Sequence, residues 1–397
     1  MKPGLIVAFC GILIAASAIS IDTTLPVLPA ILADLGGSYA AVQMTITIYM
    51  FASGFSQVLW GPLSDGWGRR PVLALGLAAY LVGCLVATLA PTVDMLLVGR
   101  FLQGFGGAAA IVIGRTILRD LYTGQTLARH MAMASAVFAA GPIVAPFFGG
   151  GFAVLAGWRG VFAVLAALAV LALLVLIKLP ETVPQRVASP LAPRLMRERL
   201  MRILREPQSR HFLIVGVVAM STMAFIIASS ARLYDENFRL TGLAFTVYFA
   251  LHGFGIVIGQ FANRRLITQI GTVGAMKIGC SVLIVAAMLL LGTALSGYAT
   301  AASTTAIFIL YATSFMIVFS NSAALVLDPH GQIAGFAASI YGFVTQGGSA
   351  IIASVLVTLV GGSLVLFSSA LLTLCMLCML LLMIWPADRV GGPSDSR

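Results

Sequence analysis

The chain has 397 residues, of which 60% are hydrophobic and only 9% charged, whereas an ordinary soluble domain runs near ~45–50% apolar and about 25% charged. So few charges cannot cover so much apolar surface in water, which excludes a soluble fold, a disordered chain and a disulfide scaffold and makes lipid the main solvent. The formal charge of +10, from 23 Lys and Arg against 13 Asp and Glu, matters here by its position rather than its sum, and no nucleic-acid partner is expected.

A bilayer core of about 30 Å takes ~20 helical residues, so stretches free of Asp, Glu, Lys and Arg mark candidate spans. In chain order the first half offers Pro3 to Ile21, Leu35 to Ser64, Pro71 to Val93, Met95 to Leu118 interrupted by Arg100 and Arg115, His130 to Trp158, and Gly160 to Ile177. Those are six. Lys2 before the apolar run from Leu5, with small residues at Ala16 and Ala18, also fits a cleaved signal peptide, but removing it would delete Asp22, and an uncleaved first helix is the expectation.

Lys178 to Arg210 then carries eight basic residues against Glu181, Glu198 and Glu206, a surplus of +5 that is half the net charge. With Pro180, Pro184, Pro190 and Pro193 it reads as a solvated linker that fixes topology. Alternation of arginine with Leu195, Met196, Leu200, Met201, Ile203 and Leu204 also allows an interfacial amphipathic helix.

The second half gives His211 to Ala231, Leu240 to Asn263, and two runs, Ile278 to Leu327 and Gly331 to Ala387, each long enough for two crossings. Gly292 to Ser303 punctuates the first of these and Gly361, Gly362 and Ser363 the second. The total is twelve spans. With both termini inside, 19 Lys and Arg fall on the cytoplasmic side, Arg159, Arg232 and Arg239 fall outside, and Arg100 lies within the fourth span, as the positive-inside rule requires. The expected division is residues 1–178 as a six-helix bundle, 179–210 as a cytoplasmic basic linker, 211–387 as a second six-helix bundle and 388–397 as a cytoplasmic tail.

Two blocks of six suggest a duplicated transporter with its site between the halves. Gly61 and Asp65 after the second span recur, 198 residues later, as Gly259 and Asn263 after the eighth. The run Gly104-Phe105-Gly106-Gly107-Ala108-Ala109 satisfies G-x-G-x-x-A, yet no strand precedes it, and close helix packing is the expected use. Cys10, Cys84, Cys280, Cys375 and Cys378 all lie in apolar runs, and the C-x-x-C at Cys375 and Cys378 lacks the neighbouring strand of a redox motif. His130, His211, His252 and His330 are scattered, with no H-E-x-x-H. No metal, no cofactor and no enzymatic constellation is expected.

A transporter breaks no bond, so the groups to seek are ionisable side chains in a low-dielectric cavity. Asp22 is the only carboxylate placed within a first-half span, and a carboxylate at the bilayer centre costs about 2.5–3.5 kcal/mol on insertion scales. It lies 17 residues past Leu5, about 26 Å of helix, in the outer half of the membrane, where it is either a functional carboxylate or a border of the external loop beside Pro26. Arg100 either satisfies carbonyls and carboxylates inside the bundle or snorkels outward. Tyr49, Gln57, Asn321 and Gln346 are candidates for a polar cavity, or for interhelical hydrogen bonds. Of Gly61 to Pro71, G-P-L-S-D-G-W-G-R-R-P, Gly61 and Gly68 permit a tight turn, Asp65 suits a helix N-terminus, and Arg69 and Arg70 suit anchoring at the inner surface.

That loop resembles the signature of the major facilitator superfamily. Gly99-Arg100-Phe101-Leu102-Gln103-Gly104-Phe105-Gly106 resembles the family's fourth-helix motif, Gly141-Pro142-Ile143-Val144-Ala145-Pro146 its fifth-helix exporter motif, and Asp22-Thr23-Thr24-Leu25-Pro26 its acidic first-helix motif. With Asp328-Pro329-His330 and Ala334-Gly335-Phe336-Ala337-Ala338-Ser339 the pattern looks most like the bicyclomycin-resistance (Bcr/CflA) branch of the drug:proton antiporters. Gly66 stands where the family usually has Arg or Lys.

The resemblance implies an all-α membrane protein of twelve helices in two bundles, in the bacterial inner membrane. It implies export of small amphipathic molecules by proton antiport, with Asp22 as proton-coupling carboxylate or substrate counter-charge and Arg100 assisting. It further implies Gly61, Asp65, Gly68, Arg69 and Arg70 as a gating loop and Gly141, Pro142 and Pro146 as the exporter helix. The partners expected are a small-molecule substrate, protons and the bilayer, for a monomer. The alternative within the same fold is a transporter of a metabolite such as a sugar, amino acid or organic anion.

Overall fold

Capping chemistry sets where the helices begin. Ser38 accepts from the Ala41 N–H, Thr92 from Met95, Thr300 and Ser303 form a capping box, and Ser363 accepts from Leu366, each opening a long apolar helix. The computed structural model describes residues 3–183, 186 and 191–385, all helix and connecting turn among those residues. The expected tail, 388–397, lies outside them.

The helices are α1 (Pro3–Asp22), a short α2 (Leu28–Leu35), α3 (Tyr39–Trp67), α4 (Arg69–Thr88), α5 (Val93–Leu121), α6 (Gly124–Ile177), α7 (Pro193–Arg205), α8 (Pro207–Phe238), α9 (Gly242–Ser296), α10 (Ala301–Leu327), α11 (Ala334–Val360) and α12 (Leu364–Ile384). Two of them are not single crossings. Helical geometry fails in α6 at Ala156 and Gly157 and in α9 at Gly271, where glycines take φ of 66° and 72°, a conformation that costs glycine no Cβ clash. Each therefore crosses twice, in arms 124–155 and 158–177, and 242–270 and 272–296. Setting aside α2 and the linker helix α7, the chain makes twelve crossings.

Eight apolar stretches meet a hydropathy criterion for spanning. Those covering α6, α9 and the α10–α11 pair each contain two spans, and α3 fails on hydropathy alone because it carries Gln43, Gln57, Ser53, Ser56 and Ser64 inward. The charge-free runs of the sequence thus mark the crossings better than mean hydropathy does.

Within the first six crossings α1 packs on α5 and α6, and α4 on α5 and α6. Within the last six, α8 packs on α10, α11 and α12, and α9 on α10 and α12. The two bundles meet along two seams, α3 against α11 and α6 against α9. Close approach along the helices is made by small residues. A Cβ on Gly104 would strike the Tyr49 carbonyl, and one on Gly106 the Gly76 carbonyl, so the G-x-G-x-x-A run is a packing face for α3 and α4. Linker helix α7 is not a free solvated segment: Ile203 is fully buried, Met196 and Leu200 are half-buried, and the helix packs on α8 and α11.

Candidate functional site

On α1, Gly11 packs against Ala134 and Val137 of α6, and Gly141 of α6 lies against Ala18 and Ile19. Residues 11, 18 and 22 fall on one helical stripe. Residue 22 continues that stripe beside the α6 segment that carries Gly141, Pro142 and Pro146, and Asp22 is 4% exposed. One residue further on, the Thr23 carbonyl abuts Gly149, while Gly150 meets Thr246 and Gly253 meets Pro142 and Ile143 across the seam with α9. The carboxylate and the exporter motif, 119 residues apart at Asp22 and Gly141, are thus neighbours at the end of the molecule away from the linker. Among the described residues no hydrogen bond or ion pair reaches the Asp22 carboxylate.

Arg100 is 0% exposed, which closes the snorkelling alternative. Its Nε donates to the Thr45 carbonyl (3.2 Å), and Nη1 donates to the Ser20 carbonyl (3.3 Å) and to Gln103 Oε1 (3.0 Å). The guanidinium lies 4.4 Å from the Tyr49 ring centroid and 5.9 Å from that of Phe162, and Nη2 has no partner among the described residues. Every group that holds this cation is neutral, and one of them is the carbonyl two residues before Asp22. Ser20 also shares a hydroxyl hydrogen bond with Tyr80, and Gln103 donates to Cys84. Gln103 falls within the fourth-helix motif that carries Arg100, whereas Ser20 and Tyr80 carry no sequence signal of this role, because each is an ordinary polar residue in an apolar run.

At the linker end, Asp65, Gly68, Arg69 and Arg70 of the expected gating loop gather with two carboxylates that no motif singles out, Asp120 and Glu181. Arg69 is not an anchor at the lipid surface. It is 4% exposed, donating through Nε to Asp120 Oδ2 (2.8 Å) and through Nη1 to Asp65 Oδ1 (2.5 Å) and Ser64 Oγ (2.8 Å). Gly68, at φ 108°, turns the chain sharply between α3 and α4. Glu181 caps the N-terminus so exposed, accepting from the N–H groups of Arg69 (2.8 Å) and Arg70 (3.1 Å). Asp120 has one sequence signal, a carboxylate closing the fourth span within reach of the arginine-bearing loop.

Across the α3–α11 seam, two of the predicted polar residues meet: Gln57 Nε2 donates to Gln346 Oε1 at 3.2 Å. Gln43 donates to the Ala228 carbonyl towards the far end, and Gly61 faces Ser339 towards the linker end. There a cavity of about 230 Å³ is lined by Asp65, Arg119, Arg199 and the first turn of α11. Asn321 is instead taken up in an amide pair with the half-buried Asn263, donating to its Oδ1 at 2.7 Å. Tyr49 serves as a floor for Arg100.

The Major Facilitator Superfamily profile matches residues 9–353. The chain is 28% identical over 348 residues to the MFS-type transporter YdgK of Bacillus subtilis (strain 168), covering 86% of each. It is 27% identical over 352 residues to a bicyclomycin resistance protein homolog of Haemophilus influenzae, covering 88% of each. A crystal structure of a D-xylose-proton symporter superposes with a TM-score of 0.76 over 94% of this chain and 96% of that one, at 12% identity. Twelve crossings in two bundles, the loop built on Asp65 and Arg69 and this match along most of the sequence make the chain a multi-pass membrane transporter of the major facilitator superfamily.

Proposed function

We propose that this transporter exports small amphipathic, drug-like molecules in exchange for protons, by alternating access of a site between its two bundles. The carrying observation is Asp22, a carboxylate 4% exposed, set against the exporter-motif helix at a bundle seam and without a hydrogen-bonding or ionic partner among the described residues. Protonated, it is neutral; ionised, it is a counter-charge for a cationic substrate, so proton and substrate exclude one another. Arg100, bound to the Ser20 carbonyl, supplies a fixed positive field that favours release of the proton. The Gln57–Gln346 bond sits where the bundles must part. The name of the Haemophilus influenzae relative supports a drug-like cargo.

The linker end is assigned to the cytoplasm of a bacterial inner membrane, with both termini on that side and bundles at residues 1–178 and 211–387, and the protein acts as a monomer. Entering protons supply about 1.4 kcal/mol per pH unit and about 2.3 kcal/mol per 100 mV. The test is proton movement across liposomes loaded with a pH-sensitive dye when a panel of antibiotics and dyes is added, with Asp22→Asn in parallel. Substrate-evoked proton flux lost in Asp22→Asn is the expected result. Flux retained in that variant removes Asp22 from coupling, and silence across the panel favours a metabolite as cargo.

A further inference from the structure

At the linker end of the first bundle, α4 and the second arm of α6 leave a trough of about 590 Å³ between them. Its walls are Pro71 and Ala74 from α4 and Val170, Leu173, Leu174 and Ile177 from α6. Val170, Leu174 and Ile177 are 42%, 57% and 66% exposed, so the trough opens towards lipid. The seven residue rises from 170 to 177 give it about 10 Å of length, enough for the upper part of an acyl chain.

Arg70, Glu181 and Arg186 stand around its mouth. The carboxylate is already spent on the turn. Its two oxygens accept the N–H groups of Arg69, Arg70, Thr182 and Val183 at 2.8–3.2 Å. Partial burial pushes the Glu181 carboxyl up, but these donors together hold it below the usual carboxylate value. Arg70 Nη2 donates to the Ile177 carbonyl at 3.1 Å, which pins one guanidinium over the end of the trough and leaves its other N–H groups to point elsewhere. The ion pairs among the described residues all use other arginines than Arg70 and Arg186. An apolar trough between membrane helices thus ends in two guanidiniums without a counter-ion among the described residues.

We propose that this trough binds an anionic phospholipid, with one acyl chain along the α4–α6 wall and the phosphate between Arg70 and Arg186. Charge complementarity selects the occupant, since basic sites at this depth match anionic headgroups. The bound lipid braces the first turn of α4, which also carries Arg69, the partner of Asp65 and Asp120, and so couples the composition of that leaflet to the gating loop.

Native mass spectrometry of the full chain, titrated separately with phosphatidylglycerol and phosphatidylcholine of identical acyl chains, tests this. About 1 kcal/mol per basic residue near an anionic surface is about fivefold, so phosphatidylglycerol should bind about thirtyfold more tightly. Arg186→Gln, which leaves the gating loop intact, should remove about fivefold of that preference, and adding Arg70→Gln should bring the two lipids to parity. Ala74→Phe, which fills the trough, should weaken both lipids. Equal affinity of the unaltered protein for the two lipids overturns the proposal, as does a preference that survives Arg186→Gln undiminished. Glycerol phosphate, binding as tightly as the lipid, would also overturn it by making the site one for a free phosphoester.

Discussion

The two bundles close their linker-side ends with the same spacing and different chemistry. In the first, Gly61 and Asp65 lead to an arginine four residues on, and Arg69 gathers Asp65, Ser64 and Asp120 into an ion-paired knot. In the second, 198 residues later, Gly259 packs against the Thr313 carbonyl of α10, and Asn263 exchanges amide hydrogen bonds with Asn321 and reaches Ser320. The reason is in the spacing. Arg264 and Arg265 follow Asn263 by one and two residues in an unbroken helix, where side chains so close do not face one another, whereas the turn at Gly68 between α3 and α4 folds Arg69 back onto Asp65. The second bundle therefore has a neutral pin where the first has a charged one. The same asymmetry runs through the interior, where the first bundle buries Asp22, Arg69 and Arg100 and the second buries no Asp, Glu, Lys or Arg among the described residues.

The comparison breaks most decisively at Asp120. Removing one partner of a buried ion pair leaves an uncompensated charge and costs about 3–5 kcal/mol. The Arg69 and Asp120 side chains are 5% and 7% exposed, and since Asp65 and Ser64 still hold the guanidinium, Asp120→Ala should sit near the lower figure. Its thermal unfolding midpoint in detergent should fall further than that of Asn263→Ala, which cuts the corresponding pin of the second bundle. A midpoint unchanged from the unaltered protein would mean that the knot is not a stability element.

Asn263→Ala strands the Asn321 amide, and interhelical hydrogen bonds in membranes average about 0.6 kcal/mol with a maximum near ~1.7 kcal/mol. The midpoint should therefore fall measurably but less than in Asp120→Ala. Asn263→Asp sharpens the point. If spacing rather than residue identity withholds a charged pin, the new carboxylate finds no arginine on its own face and the variant is less stable than the unaltered protein. A more stable Asn263→Asp would show that Arg264 or Arg265 can swing into the role, and the spacing argument would fail.

How much of this is legible in the sequence follows from which forces are local. Charge-free runs find all twelve crossings because the bilayer acts on each helix separately, and of the breaks, Gly157 falls one residue before the end of a run and Gly271 in the charged gap between two runs. The arginine loop is legible as a motif, but its fate is not: the sequence puts Arg69 at a surface because it does not say that Asp120, 51 residues on, comes within 2.8 Å. Glu181 reads as one of three acids in a basic linker, since its use as a helix cap depends on where the sixth crossing ends. Gln57 and Gln346 both stand out as polar positions, yet nothing local says that they bond to each other, whereas Asn321 goes to Asn263. Periodicity gives the face of a helix and leaves its neighbour undetermined.

The smallest expected effect lies at the opposite end, where the comparison recurs. In the first bundle Asp34 accepts from Arg159 (2.5 Å) and from the Trp158 indole (3.0 Å), and Arg159 also donates to the Ala90 carbonyl (3.0 Å), so one clamp ties three connections of a single bundle. In the second, Arg232 pairs with Glu236 one turn along and lies over the Tyr39 ring, across to α3. The hydrogen bonds from Arg159 and Trp158 hold the Asp34 carboxyl below its ordinary value. The stability it lends is thus present above the usual carboxylate range and disappears as pH falls through the lowered value. Because both partners are more than 40% exposed, salt screens the pair. Asp34→Asn should lower the thermal midpoint slightly at pH 7 and low salt, and the difference should shrink in high salt and vanish at acid pH. Arg232→Ala removes a contact that crosses between bundles, so spin labels on the far ends of α3 and α8 should report wider separations in that variant and unchanged ones in Asp34→Asn. If Asp34→Asn widened those distances as much as Arg232→Ala, the first-bundle clamp would belong to the gate as well as to its own bundle.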